Sequence, residues 1–189
     1  FANFHVTQGP WTGGFWDVPA SSPFREEIAW LSATGVTTGY PDGSFQPTTE
    51  VTRETMAAFL YRLAGSPATT TTVRFTDVPA THRFAREISW LADQGITTGF
   101  TDGKFRPGEA VSRAAMAAFL HRYAGSPSTT AASSTFRDMP AGAPFSQEVG
   151  WAAQTGITTG FTDGSFRPGD AISRQAMAAF LYRFDALAG

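Results

Sequence analysis

Apolar positions along this chain recur in two alternating kinds of stretch. In the first kind, Phe24, Ile28 and Leu31 fall at i, i+4 and i+7, one stripe of a helix. Ser22 followed by Pro23 predicts an N-cap with proline at the first helical position, and Gly35 predicts the stop. In the second kind, Met56, Phe59, Leu60 and Leu63 carry the helical spacing while Ala57 and Ala58 fill the gaps. That helix is apolar nearly all round, so it is expected to be buried, with Thr52 as its N-cap. Between the two lies Gly39-Tyr40-Pro41-Asp42-Gly43-Ser44-Phe45-Gln46-Pro47, a run of turn formers that excludes a continuous helix.

The whole pattern then repeats. Phe15-Trp16-Asp17-Val18-Pro19 returns as Phe75-Thr76-Asp77-Val78-Pro79 and Phe136-Arg137-Asp138-Met139-Pro140. Trp30, Trp90 and Trp151 are spaced by 60 and 61, as are Asp42, Asp102 and Asp163, and Arg53, Arg113 and Arg174. Gly95–Pro107 matches Gly156–Pro168 at 12 of 13 positions, whereas Gly35–Pro47 matches the last copy at 9 of 13. Three units are therefore expected over 15–66, 75–126 and 136–189, after an N-terminal segment of residues 1–14 with aromatic Phe1, Phe4 and Trp11. Polar connectors beginning Gly65-Ser66-Pro67 and Gly125-Ser126-Pro127 join them. The predicted class is mainly α: three helix–loop–helix repeats forming one module. The apolar helices, about 12 residues and roughly 18 Å each, are expected to pack about a common axis as a central three-helix bundle, since one copy alone cannot cover its own.

Composition narrows the function. With 42% apolar and 14% aromatic residues in 189, a packed core is expected. The absence of cysteine removes disulfides, a thiol nucleophile and thiolate metal sites. A net charge of −2 argues against a broad nucleic-acid binder, and no 18-residue apolar window predicts a membrane span. A first residue of Phe1 reads as a piece of something longer. His5, His82 and His121 stand at non-equivalent places without metal-ligand spacing, and no nucleophile elbow or phosphate loop occurs. No enzyme, metal or cofactor is expected. Threefold-repeated polar positions suit multivalent binding rather than a single asymmetric active site.

Phe-x-Asp-Val, then Gly-Ile-Thr-Thr-Gly-Phe-x-Asp-Gly-x-Phe-x-Pro, then Val/Ile-Thr/Ser-Arg opening an Ala-rich helix, resembles the S-layer homology (SLH) domain family over roughly residues 15–185. The resemblance implies a pseudo-threefold helical module outside the bacterial cell, at the cell surface or cell wall. It implies non-covalent anchoring to a pyruvylated secondary cell-wall polysaccharide through grooves between copies. The family's helix-opening Thr-Arg-Ala-Glu is a capping box. This chain keeps cap and arginine but has Thr55, Ala115 and Ala176 in place of the glutamate.

Arg53, Arg113 and Arg174 fall at the first helical position, where a cation opposes the helix dipole. Two readings fit. In one, free helix N–H groups and a guanidinium fork hold an anion such as a carboxylate. In the other, the arginines are salt-bridged to Asp42, Asp102 and Asp163 or to Glu27, Glu87 and Glu148. Asp42-Gly43, Asp102-Gly103 and Asp163-Gly164 are turn formers that also offer a carboxylate and main-chain donors to sugar hydroxyls. Asp17, Asp77 and Asp138 are expected to cap local backbone N–H groups, and the repeated tryptophans to pack in the core or between copies. Gln46 stands where the other copies have Arg106 and Arg167, which predicts that Arg113 and Arg174 line more cationic grooves than Arg53. The rival functions are a protein–protein assembly module and a catalytic domain for cell-wall glycans.

Overall fold

The computed structural model of the chain describes residues 14–128 and 136–187. The aromatic segment with Phe1, Phe4 and Trp11, and part of the second connector, lie outside the described residues. The structure is mainly α. Copy one carries α1 (Arg25–Ala33) and α2 (Arg53–Leu63), copy two α3 (Ala85–Asp93) and α4 (Arg113–Tyr123), and copy three α5 (Ser146–Gln154) and α6 (Arg174–Asp185).

The long helices start where their caps predict. The side chains of Thr52, Ser112 and Ser173 accept from the backbone N–H of Thr55, Ala115 and Ala176. In copy one the Thr52 and Thr55 hydroxyls also meet at 2.8 Å. The first short helix starts differently from expectation. Ser22 donates its N–H to the Pro19 carbonyl at 2.9 Å in a turn, and α1 begins only at Arg25. Its N-cap is Phe24, left-handed at φ 57 and without a side-chain cap. The turn closes before the helix does, so Ser22 and Pro23 are spent on the turn.

Each long helix buries its apolar surface against its neighbours: Phe59, Phe119 and Phe180 are 3–4% exposed, and one continuous core runs through all three copies. The close helix pairs are α2 with α3, α4 with α5, and α6 with α1. Each long helix therefore packs on the short helix of the next copy, and the last returns to the first. The repeated tryptophans seal these pairs edge-on, as inter-copy packing predicts: Tyr61–Trp90 at 5.6 Å, His121–Trp151 at 5.2 Å and Trp30–Tyr182 at 5.5 Å. The expected central bundle put the long helices themselves together. What they share directly is side-chain contact, such as Tyr123 stacked on Phe184 at 5.4 Å.

Just ahead of the long helices the backbone closes a ring. Val51 N–H donates to the Ile172 carbonyl (2.9 Å), Ile172 N–H to Val111 (2.8 Å), and Val111 N–H to Val51 (2.8 Å). All three residues are at most 1% exposed, so every one of these buried amides has a partner in another copy. Short antiparallel bridges flank them: Glu50 with Ser173, Thr52 with Ala110, and Ser112 with Ala171.

Candidate functional site

The start of each long helix is not open. Arg53 N–H donates to the Glu109 carbonyl and Glu54 N–H to Pro107, both at 2.9 Å. Arg113 and Ala114 do the same to Asp170 and Pro168, and Arg174 and Gln175 to Thr49 and Pro47. With the cap holding the third amide, the first-turn donors that an anion would use are already filled by the next copy. This also explains the cation at the helix start. Backbone carbonyls of the neighbouring copy cover the positive end, so the side chain is free to leave it.

The arginine side chains reach across the same seams. Arg53 Nε donates to the Phe105 carbonyl at 2.6 Å, Arg113 Nε to Phe166 at 2.7 Å, and Arg174 Nε to Phe45 at 2.7 Å. The salt-bridge alternative is not what is found: among the described residues none of the three pairs with Asp42, Asp102, Asp163, Glu27, Glu87 or Glu148. Each guanidinium instead lies among rings. Arg53 is 4.7 Å from Phe100 and 4.6 Å from Phe105, and Arg113 is 4.7 Å from Phe161 and 4.8 Å from Phe166. Arg174 is 4.9 Å from Tyr40 and 4.5 Å from Phe45. Such contacts favour a cation even when it is partly desolvated. Burial still pulls all three guanidinium pKa values below the ordinary arginine value. Their Nη groups have no acceptor among the described residues, and no fully buried polar side-chain atom there lacks a partner. The Nη edges therefore touch solvent, fixed in place from behind.

The aspartates of the Phe-x-Asp-Val/Met segment hold the other side of each loop. Asp17 accepts from the N–H groups of Phe45 (2.8 Å) and Gln46 (2.7 Å), with the same pair of bonds from Phe105 and Arg106 to Asp77, and from Phe166 and Arg167 to Asp138. Capping of backbone amides was expected, but of local ones; these lie 28 and 29 residues away. The clamp secures Gln46, Arg106 and Arg167 at φ 57–58, a left-handed conformation unusual for residues with side chains.

The Asp-Gly loops are turns first. Asp42 accepts from Ser44 N–H (2.9 Å) and its hydroxyl (2.7 Å), Asp102 from Lys104 N–H (3.1 Å), and Asp163 from Ser165 N–H (2.9 Å) and its hydroxyl (2.5 Å). Gly43, Gly103 and Gly164 donate their N–H groups back to Tyr40, Phe100 and Phe161. The loops therefore keep their glycine donors for themselves and present carboxylate edges. Asp102 Oδ2 is paired with Arg106 at 3.0 Å, and Asp163 Oδ2 with Arg137 at 3.0 Å and Arg167 at 3.4 Å. The Ser165 hydroxyl and N–H, helped by these arginines, hold the Asp163 carboxyl down at about 2.

The seams differ in charge, and not in the order the sequence suggests. A helix of one copy faces the loop of the next, so Arg53 shares its seam with Arg106, whose guanidinium is 4.0 Å from Phe100. Arg113 shares with Arg167, 3.9 Å from Phe161, and with Arg137 beyond it. Arg174 faces the loop that carries Gln46. Arg174, rather than Arg53, therefore stands in the least cationic seam. The seam between copies two and three is the most arginine-rich, with Arg113, Arg167 and Arg137 against Arg53 and Arg106 in the first, and in both the loop arginines are paired with acids.

A ring of helix–loop–helix units, each clasping the next through an arginine, defines a closed tandem-repeat module. The chain belongs to the S-layer homology domain family, which it matches three times, at residues 14–57, 74–117 and 135–178. Among similar proteins, Cell surface glycoprotein 1 of Acetivibrio thermocellus is 29% identical over 157 residues, which is 77% of this chain and 7% of that protein. The Cellulosome-anchoring protein of the same organism is 26% identical over 88% of this chain and 38% of its own length. An Endoglucanase of a Bacillus species is 33% identical over 58% of this chain and 11% of the enzyme. The chain thus spans well under half of each. These repeats are of the bacterial cell-surface type. Among the described residues no helix is long and apolar enough to cross a membrane, and no three His, Cys, Asp or Glu residues are grouped to hold a metal.

Proposed function

We propose that this chain is a non-catalytic anchor that holds its parent protein to an acidic secondary cell-wall polysaccharide through the seams between copies. The three copies act in this reading as one module, with the long helices disposed about the axis marked by the Val51–Val111–Ile172 ring. The observation that carries the reading is the Nη edge of Arg53, Arg113 and Arg174, on residues only 5–9% exposed, without an acceptor among the described residues and pre-positioned by a carbonyl and flanking rings. A planar fork held this way suits a carboxylate substituent such as a pyruvate ketal and loses little freedom on binding. Asp42, Asp102 and Asp163 supply acceptors for sugar hydroxyls at the loop edges, while Gly43, Gly103 and Gly164 shape the turns that carry them. Several seams engaging one polymer gain by effective concentration.

Alanine at the three arginines would disturb the fold as well as the ligand, so the decisive variants lie beside them. Gln46 shows that glutamine is accepted at the left-handed loop position. Arg167→Gln should weaken titration with purified polymer by about 1 kcal/mol, roughly fivefold, with only a small drop in the melt from the lost surface contacts to Asp163 and Phe161. Gln46→Arg should strengthen it. Removing the acidic substituents from the polymer should abolish the difference between variants. Equal binding by wild type, Arg167→Gln and Gln46→Arg would count against acid recognition at the seams.

A further inference from the structure

Copy one differs from the other two at one exposed corner. Trp16 is 71% exposed, yet it is not loose. Its indole Nε1–H donates to the Asp42 carbonyl at 3.1 Å, its backbone N–H to the Gly43 carbonyl at 3.4 Å, and a side chain at Gly43 would meet its Cδ1 at 3.6 Å. The polar edge of the ring is satisfied within the protein, and its apolar faces are offered to solvent in a fixed orientation. An exposed tryptophan by itself means little. The neighbouring carboxylate adds an independent observation. In copy three the residue equivalent to Trp16 is Arg137, which neutralises Asp163 Oδ2 at 3.0 Å together with Arg167. In copy two Arg106 does the same for Asp102. Copy one has Trp16 and Gln46 at these places, and Asp42 is engaged by Ser44 through Oδ1 alone. Its Oδ2 has no partner among the described residues, where in copy three the equivalent oxygen is reached by Arg137, the counterpart of Trp16.

A rigid indole face beside an unpaired carboxylate oxygen is the pairing that takes a pyranose ring: the C–H face stacks on the ring, and a hydroxyl donates to the free oxygen of the acid. Rigid aromatic groups supply such contact at low entropic cost. We propose that Trp16 and Asp42 form a subsite for an uncharged sugar residue, separate in chemistry from the arginine seams. It rests on the reading that the module binds a glycan, and it adds a neutral unit to what is recognised.

The test is titration of the whole chain with two uncharged probes, N-acetylglucosamine tetramer and cellotetraose, following the Trp16 indole N–H resonance by NMR. Either probe should move that resonance in the wild type and leave it unmoved in Asp42→Asn. Trp16→Phe, which keeps a stacking face, should retain probe binding seen at the backbone amides of 42–44. Trp16→Thr, the copy-two residue, should lose it on the order of tenfold, the scale of one aromatic anchor. An indole resonance that neither probe moves, or Trp16→Thr binding the probes as wild type does, overturns the subsite. In that event, weakened polymer binding by Arg167→Gln would leave the arginine-seam reading standing. If that variant binds the polymer normally while the probes still move Trp16, the acidic reading alone fails.

Discussion

Asp77 and Arg53 grip opposite ends of a single peptide group. Asp77 Oδ2 accepts from the N–H of Arg106 at 2.7 Å, and Arg53 Nε donates to the carbonyl of Phe105 at 2.6 Å. The amide between them polarises both bonds in the same sense, so an anion in copy two and a cation in copy one cooperate without touching. Asp138 with Arg113, and Asp17 with Arg174, repeat the arrangement.

Coupling should follow from that shared amide. Asp77→Ala and Arg53→Ala are each expected to cost about 2 kcal/mol, the scale for hydrogen bonds to charged groups. The double variant should cost less than the sum, with an interaction of about 0.5–3 kcal/mol. Urea denaturation of the four proteins checks this, and strict additivity would show that the peptide transmits nothing.

Lysine should be a poor substitute at Arg113. It keeps the charge but has no Nε–H at the depth of the Phe166 carbonyl and no plane to lie against Phe161. The expected melting temperature of Arg113→Lys lies close to that of Arg113→Ala, well below wild type. A wild-type melt for the lysine variant would mean that charge alone is what the seam requires.

Acid should loosen the loops. The Asp163 carboxyl sits at about 2, and Asp138 is also depressed, chiefly by the Phe166 N–H. A depressed carboxyl contributes stability that is complete above its unfolded value near 3.8 and is lost as pH falls through the folded value. Melting temperature should therefore decline between pH 4 and 2. Asp163→Asn should start lower at neutral pH and decline less over that interval. Parallel curves for the two proteins would remove Asp163 from the effect.

Gly99 and Gly95 give a sharper contrast. Both have φ +69, but a Cβ on Gly99 would overlap Phe75 Cε1 and sit 2.7 Å from the Lys104 carbonyl, whereas one on Gly95 meets nothing within 4 Å. Gly95→Ala should cost about 1 kcal/mol, from backbone strain. Gly99→Ala should cost several times more or prevent folding. Similar losses at both sites would mean that the loop moves aside for the methyl group.

The helix starts at Thr52, Ser112 and Ser173, the loops between helices and the burial of Phe59, Phe119 and Phe180 were all legible, because they follow from patterns within one copy. What was not legible lies between distant segments. A sequence shows that Asp17 recurs, but not that its partners are 28 and 29 residues on. It shows Arg174 and Gln46 as members of different copies, yet Arg174 reaches copy one across 129 residues. Which copy leans on which is a matter of direction around the ring, and no periodicity records direction. The start of α1 is not legible for a local reason, since proline after serine serves a turn as readily as a helix.

The Arg174–Phe45 bond and its neighbours also decide how this chain would yield under load. In an open array of repeats, end units peel away singly, and the remainder keeps its own interfaces. Here the last unit is fastened to the first, so pulling either end loads two seams together and detaching any unit breaks two of three. Mechanical failure should then be a single event at one force rather than a staircase. A tether built this way holds or lets go, with no half-released state in which one unit still carries the strain.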